Sequence, residues 1–243
     1  MYLFYSSTPI ASVHVLDEQE SRHCIKSLRL QTGDEVHITD GKGNLYKAEM
    51  IDNNSKACVL KVMSKVEDYK RLPYYLHIAV SPTKNTDRIA WFVEKAVEIG
   101  ISEITTLICK HSERTQIKSD RIERLMISAM KQSLHIDLPA FSACIRFDDF
   151  LQKTQAISAQ KFIAFCGNVE QTPVLLQTVC APKTDTYILI GPEGDFTAEE
   201  VRRAVDCGYV VVSLGEFRLR TETAAIHACS TVRIINDEQE DKC

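Results

Sequence analysis

The chain has one Trp, seven prolines and nine glycines in 243 residues, and no long apolar run. Its longest apolar stretches, such as Tyr209-Val210-Val211-Val212, fall far short of the roughly 20 residues that cross a bilayer, so no transmembrane helix is expected. Met1–Tyr5 lacks a basic segment and a cleavage site, so the chain is expected to be cytoplasmic rather than secreted. With 44% hydrophobic and 26% charged residues, the composition excludes collagen-like, fully disordered and coiled-coil chains. The nine cysteines are odd in number, none is spaced C-x-x-C, and no His pair lies beside them. That pattern argues against a disulfide framework and a zinc site; reduced thiols and no metal are expected. Cys109, Cys166 and Cys207 lie in apolar runs, where Cys acts as a small buried hydrophobe. An excess of basic charge is also missing: 29 Lys and Arg stand against 33 Asp and Glu. Asp237–Cys243 holds four of those acids and one Lys and is expected to be a solvated tail; the rest is nearly neutral. An RNA-binding role therefore needs a local basic surface, since bulk charge supplies none.

The length allows one large domain or two small ones. The first 70 or so residues read as β-rich. Val36–Thr39 and Leu45–Met50 alternate around the turn Asp40-Gly41-Lys42-Gly43-Asn44, a hairpin signal, and Ala57–Val62 is a third alternating run. The only helical pattern there is a short one near Glu18–Leu28. These features predict a small β-barrel over 1–72. From Leu72-Pro73 the pattern changes. Strands are predicted at Tyr75–Ser81, Ile104–Cys109, Phe162–Cys166, Thr186–Ile190 and Tyr209–Leu214. Helices are predicted from Asn85 or Thr86 to Gly100, over about Asp120–His135, from the capping box Thr197-Ala198-Glu199-Glu200 to Gly208, and over about Thr221–Ile235. Alternating strands and helices make βαβ units around a parallel sheet, an α/β fold.

Three strand-to-helix junctions carry the chemistry. Ile188–Phe196 reads as a buried strand followed by Gly191-Pro192-Glu193-Gly194; Val212–Gly215 again ends a strand in Gly; Leu219–Ala225 places Arg, two Thr and a Glu before an apolar helix. In open α/β sheets, ligands bind beyond the carboxyl ends of the strands. The plain alternative is a set of ordinary βα turns, with Thr221 or Thr223 as a helix cap and Glu222 complementing the helix dipole. That alternative leaves Arg220 without a role. Neither G-x-G-x-x-G nor a P-loop is present, which disfavours NAD and ATP.

These segments resemble a known family. "LIGPEGDF" followed by "SLGEFRLRTETAA" is similar to the C-terminal signature of the RsmE family, 16S ribosomal RNA uridine N3-methyltransferases of the SPOUT superfamily. "RHCIKSLRLQTGDEVHITDGKGNLYKAEM", from Arg22, resembles the family's PUA-like RNA-binding barrel, and "KNTDRIAWFVEKAVEIGISEITTLICKHSERTQIK", from Lys84, resembles the start of its catalytic domain. The similarity is collinear and nearly full length. This chain departs from the family at Asp195, where Gly is frequent, at Leu134-His135, where Gly-Arg is frequent, and at Phe217, where Arg is common.

The resemblance implies a PUA-like domain over 1–72 and, over 73–243, a SPOUT methyltransferase domain with a C-terminal trefoil knot and a dimer interface. S-adenosylmethionine would be held by Leu189, Ile190, Gly191, Glu193, Gly194, Leu214, Gly215, Leu219, Thr221, Thr223 and Ala224. The reaction would methylate N3 of a uridine in 16S ribosomal RNA or in the small subunit. N3–H must lose its proton, so a positive group beside the developing uracil anion is needed; Arg220 is the first candidate and Arg114 the second. Glu222 would orient an arginine or accept a proton; for Arg114 the plain alternative is a surface ion pair with Glu113 or a nearby acid. Because N3 lies on the Watson–Crick edge, the target must be unpaired or flipped. Arg22, His23, Lys26, Arg29, Lys84 and Arg88 are candidate RNA contacts. Two other functions remain open: a SPOUT enzyme acting on another RNA position, and a non-catalytic RNA-binding assembly factor.

Overall fold

The computed structural model describes residues 1–167 and 172–237; the expected acidic tail lies outside them apart from Asp237. The described residues form two compact units, Met1–Arg71 with Ile127–Leu138, and Leu72–Met126 with Pro139 onward.

The first unit is built on a five-stranded sheet. Its strands are β1 (Leu3–Tyr5), β2 (Val13–Val15), β3 (Glu35–Thr39), β4 (Leu45–Asp52) and β5 (Val59–Val66), in the order β1-β3-β4-β5-β2. β3 and β4 form the expected hairpin, with Gly41 and Gly43 at positive φ in the turn. β1 joins β3 in parallel and β2 joins β5 antiparallel. At three residues each, β1 and β2 are too short to show alternation in the sequence. A helix α1 (Glu18–Arg22) runs on into a π-helical turn (His23–Ser27). Phe4, Leu16, Cys24, Val36, Ile38, Met50 and Leu60 fill the core. Residues Ile127–Leu138 complete the unit: the Thr39 hydroxyl donates to the Ile136 carbonyl at 2.8 Å, and Lys131 pairs with the buried Glu20.

The second unit holds a seven-stranded sheet. Its strands are β6 (Leu76–Val80), β7 (Glu103–Ile108), β8 (Ala140–Arg146), β9 (Gln160–Ala164), β10 (Val174–Leu175), β11 (Thr186–Ile190) and β12 (Val210–Ser213). The order is β10-β12-β9-β11-β6-β7-β8 and every pairing is parallel. The helices are α2 (Thr86–Ile99), α3 (Ser119–Ser133, whose residues from Ile127 on belong to the first unit), α4 (Phe147–Gln155), α5 (Leu176–Val179), α6 (Ala198–Asp206) and α7 (Thr221–Asp237). Asn85 caps α2, and Thr197 with Glu200 forms the expected capping box on α6. α4 and α6 cover one sheet face through Phe147, Phe150, Leu151, Val201 and Ala204. α7 packs on α2 and on β6 and β11. β6 and β11 are buried along their whole length, as central parallel strands must be. Among the described residues no helix is long and apolar enough to cross a membrane.

Of the three cysteines expected to be buried, only Cys109 is; Cys207 is half-buried and Cys166 is exposed. The reason for Cys166 is that β9 ends at Ala164, two residues short of the apolar run.

The sheet also buries a histidine. His77 on β6 lies against Phe150 and Tyr187, its Nε2 is 2.8 Å from the Thr105 hydroxyl, and its Nδ1 lacks a hydrogen-bond partner. Burial lowers its pKa to about 4, against an opposing pull from Glu103. A histidine depressed in the folded state stabilises the fold above the unfolded value of 6.5, and that contribution fades as pH falls toward 4. Urea unfolding from pH 7 to pH 4 is expected to lose on the order of 3 kcal/mol through this group. His77→Gln should flatten that part of the profile, and an unchanged slope would refute the assignment.

Candidate active site

Because all strand pairings are parallel, the loops after β6, β7, β9, β11 and β12 leave from one edge of the sheet. The β11 loop, Gly191–Thr197, is its centre. Gly191 leaves little room for a side chain: a Cβ there would lie 3.1 Å from Asp195 Oδ1 and from the Phe196 nitrogen. Thr221, the first residue of α7, donates its hydroxyl to the Gly191 carbonyl at 3.1 Å and so ties the last helix to this loop. The Lys84 amide donates to Glu193 Oε1 at 3.1 Å, bringing in the loop after β6. Arg114, in the loop after β7, donates Nε and Nη2 to the Lys84 carbonyl at 3.3 and 3.0 Å. The alternative Arg114–Glu113 pair does not form among the described residues; Lys84 Nζ takes Glu113 instead, at 3.1 Å.

Glu222 follows Thr221 and is buried, with 6% of its surface exposed. Its Oε1 lies 3.7 Å from Arg88 Nε, and its Oε2 is buried with no hydrogen-bond partner among the described residues. A buried carboxylate oxygen without a donor is costly, so this atom awaits one. Arg88 thereby stands beside Glu222, with its side chain still 36% exposed. Arg220 is exposed and has no ion-pair or hydrogen-bonding partner for its side chain among the described residues.

The segment between β12 and α7 is exposed from Gly215 to Arg220, and Phe217 is 84% exposed. Gly215 turns it at φ +120°, held by the Ser213 hydroxyl. Among the described residues, the backbone of residues 216–219 makes no backbone–backbone hydrogen bond, so its N–H and C=O groups are open to a ligand. Leu189 is packed in the core and the Ile190 carbonyl accepts from the Ser81 amide, so these two support the site from below. Thr223 is exposed and Ala224 half-buried beside them. Arg22, His23 and Arg29 belong to the first unit, where Arg22 pairs with Glu18 at 2.5 Å.

Three residues here were not singled out from the sequence as part of the site. His111 Nδ1 lies 3.1 Å from the Gly194 carbonyl and 3.0 Å from that of Asp195. Asp195 sits at φ +61° and accepts from the Phe196 amide at 2.8 Å and the Cys166 amide at 3.1 Å, joining the β9 and β11 loops. Burial pushes its carboxyl pKa up. The Asp195 departure was visible in the sequence; the Cys166 contact, 29 residues away, was not.

Residues 70–233 match the model of an RNA methyltransferase domain, and residues 16–63 match that of an RNA methyltransferase PUA domain. Ribosomal RNA small subunit methyltransferase E of Rickettsia conorii is 26% identical to this chain, covering 90% of it and 88% of the relative. The crystal structure of a probable rRNA-methyltransferase from Porphyromonas gingivalis is 35% identical, with a TM-score of 0.90 over 98% of this chain and 100% of the other. A Neisseria gonorrhoeae ribosomal RNA small subunit methyltransferase E, crystallised with S-adenosyl methionine, shares the fold with a TM-score of 0.86 at 24% identity, covering 97% of this chain and 98% of the other.

Asp195→Ala removes two acceptor bonds and leaves a Cβ at positive φ. It should cost about 1–3 kcal/mol, read by thermal unfolding. Asp195→Gly should cost about 1 kcal/mol less, because Gly adopts that φ freely. Equal costs would show that the backbone angle contributes nothing.

Proposed function

This chain belongs to the RNA methyltransferase family, and from that premise we propose that it transfers a methyl group from S-adenosylmethionine to N3 of a uridine in 16S ribosomal RNA. The observation that carries this reading is the Thr221–Gly191 contact, which brings the β11 loop and the start of α7 together beside an open backbone segment.

The residues present fit the cofactor. The unpaired backbone of residues 216–219 suits an adenine, which is recognised by backbone hydrogen bonds and apolar walls such as Leu219. Glu193 and the unpartnered Glu222 Oε2 suit its positive charges. Gly191, Gly194, Leu214, Gly215, Thr221, Thr223 and Ala224 would line the site, with Leu189 and Ile190 beneath. When bound, the cofactor supplies an electrophilic methyl group. The protein would hold the uridine beside it, and positioning alone lowers such barriers substantially. Arg220, whose side chain has no partner among the described residues, stabilises the uracil anion as N3 gives its proton to solvent. Arg114 is spent on the Lys84 carbonyl through two of its nitrogens and serves chiefly to hold that loop. Glu222 orients Arg88.

The first domain, with Arg22, His23, Lys26 and Arg29, holds RNA through phosphate contacts, and Lys84 and Arg88 extend such contacts to the second. The catalytic domain carries a trefoil knot. What supports it is the insertion of β11 between β6 and β9 and of β12 between β9 and β10. The enzyme works in the cytoplasm as a homodimer; exposed Trp91 on α2 and Ile234 on α7, two helices that pack together, support an apolar interface.

Digestion of methylated ribosomal RNA should yield N3-methyluridine; a 2′-O-methyl nucleoside would overturn the assignment. Arg220→Ala should lower the rate about 10²–10³-fold while S-adenosylmethionine still binds in calorimetry. Replacing Arg22 and Arg29 by Ala together should weaken RNA binding and reduce its salt dependence; an unchanged salt slope would remove them from the interface.

A further inference from the structure

Beside Arg114, a cleft of about 330 Å³ opens between the start of α2, residues 114–118 and the start of α3. That is the lower end of the volumes found for small-ligand sites, about 300–1,000 Å³. Its floor is apolar: Ile89 and Ile122 are buried, and Ala90 and Ile117 complete it. Its rim is basic. Lys118 is exposed and has no ion-pair partner among the described residues. Arg121 shares one nitrogen with Asp87 at 3.0 Å. Arg114 stands at the boundary with the Lys84 loop.

An apolar floor beneath separate cations is the chemistry of a nucleotide: a flat base to be covered and a phosphate to be neutralised. We propose that this cleft takes one unpaired nucleotide of the RNA substrate, its base on the Ile89–Ile117–Ile122 floor and its phosphate on Lys118 and Arg121. The proposal rests on the RNA-methylating function proposed above and places the strand along α2 and α3, next to the loops of the candidate active site. Arg114 then links the two: it lines the cleft and fixes the Lys84 loop that holds Glu193.

Binding of a labelled single-stranded oligouridylate to the full chain, followed by anisotropy across a salt series, tests this without requiring turnover. Lys118→Ala with Arg121→Ala should weaken affinity about 10-fold at low salt and reduce the salt slope by about 1.4, at 0.7 for each lost phosphate contact. Ala90→Trp fills the floor without changing charge and should weaken binding with the salt slope intact. Calorimetry with S-adenosylmethionine should be unchanged in both variants, separating the cleft from the cofactor site. Wild-type affinity and slope in the double variant would overturn the proposal even if the enzyme methylates RNA as expected. Undiminished binding in a folded Ala90→Trp would overturn the placement of the base. Loss of dimer instead of RNA affinity in sedimentation would assign the cleft to a second copy of the chain and overturn it as well. Failure of the wild type to methylate ribosomal RNA would count against the proposed function, while oligouridylate binding still reports on the cleft.

Discussion

The site depends on one constraint: seven strands that pair only in parallel must release all their following loops at the same edge. Parallel pairing forces a crossover after each strand, so helix starts gather at that edge as well. β11 enters between β6 and β9, and β12 lies on the far side of β9. Their loops therefore leave the same edge on either side of the β9 loop, although β11 and β12 are successive strands in the chain. The Thr221–Gly191 hydrogen bond is the local expression of this arrangement.

From that constraint follows a division of labour among charged groups. Glu193 and Arg114 each grip the backbone of the Lys84 loop, one through its amide and one through its carbonyl. Both are bound into the scaffold and hold a loop in place. Among the described residues, the buried Glu222 has half its carboxylate unanswered, whereas the exposed Arg220 side chain has no partner. A fold that leaves a buried acceptor open and a guanidinium free, within two residues of each other, has left them for something else. The exposed backbone of residues 216–219 belongs to the same pattern, since among the described residues it makes no backbone–backbone hydrogen bond.

Much of the scaffold was legible from residue order. The strand Thr186–Ile190 was placed to the residue, as was the Thr197–Glu200 capping box, because both are local patterns. β8 and α4 were not foreseen: the β8 residues are mostly half-buried with no clean alternation, and α4 lacks a side-chain cap. At the site, Gly191, Glu193, Thr221 and Glu222 were named in advance. Asp195, His111 and the true partners of Arg114 and Lys84 were not, because each contact spans from 29 to 109 residues of chain.

By itself the sequence determined the elements that short-range physics controls: alternation for the hairpin β3–β4, helical periodicity for α2, the capping box of α6, and the glycines at turns. It also carried the motifs that resemble a methyltransferase family. Only the tertiary structure decided which loops meet, that Arg88 lies against Glu222, that Lys84 rather than Arg114 takes Glu113, and that Ile127–Leu138 joins the first unit. Such pairings are chosen by strand order and burial across long separations, where local preference exerts no force.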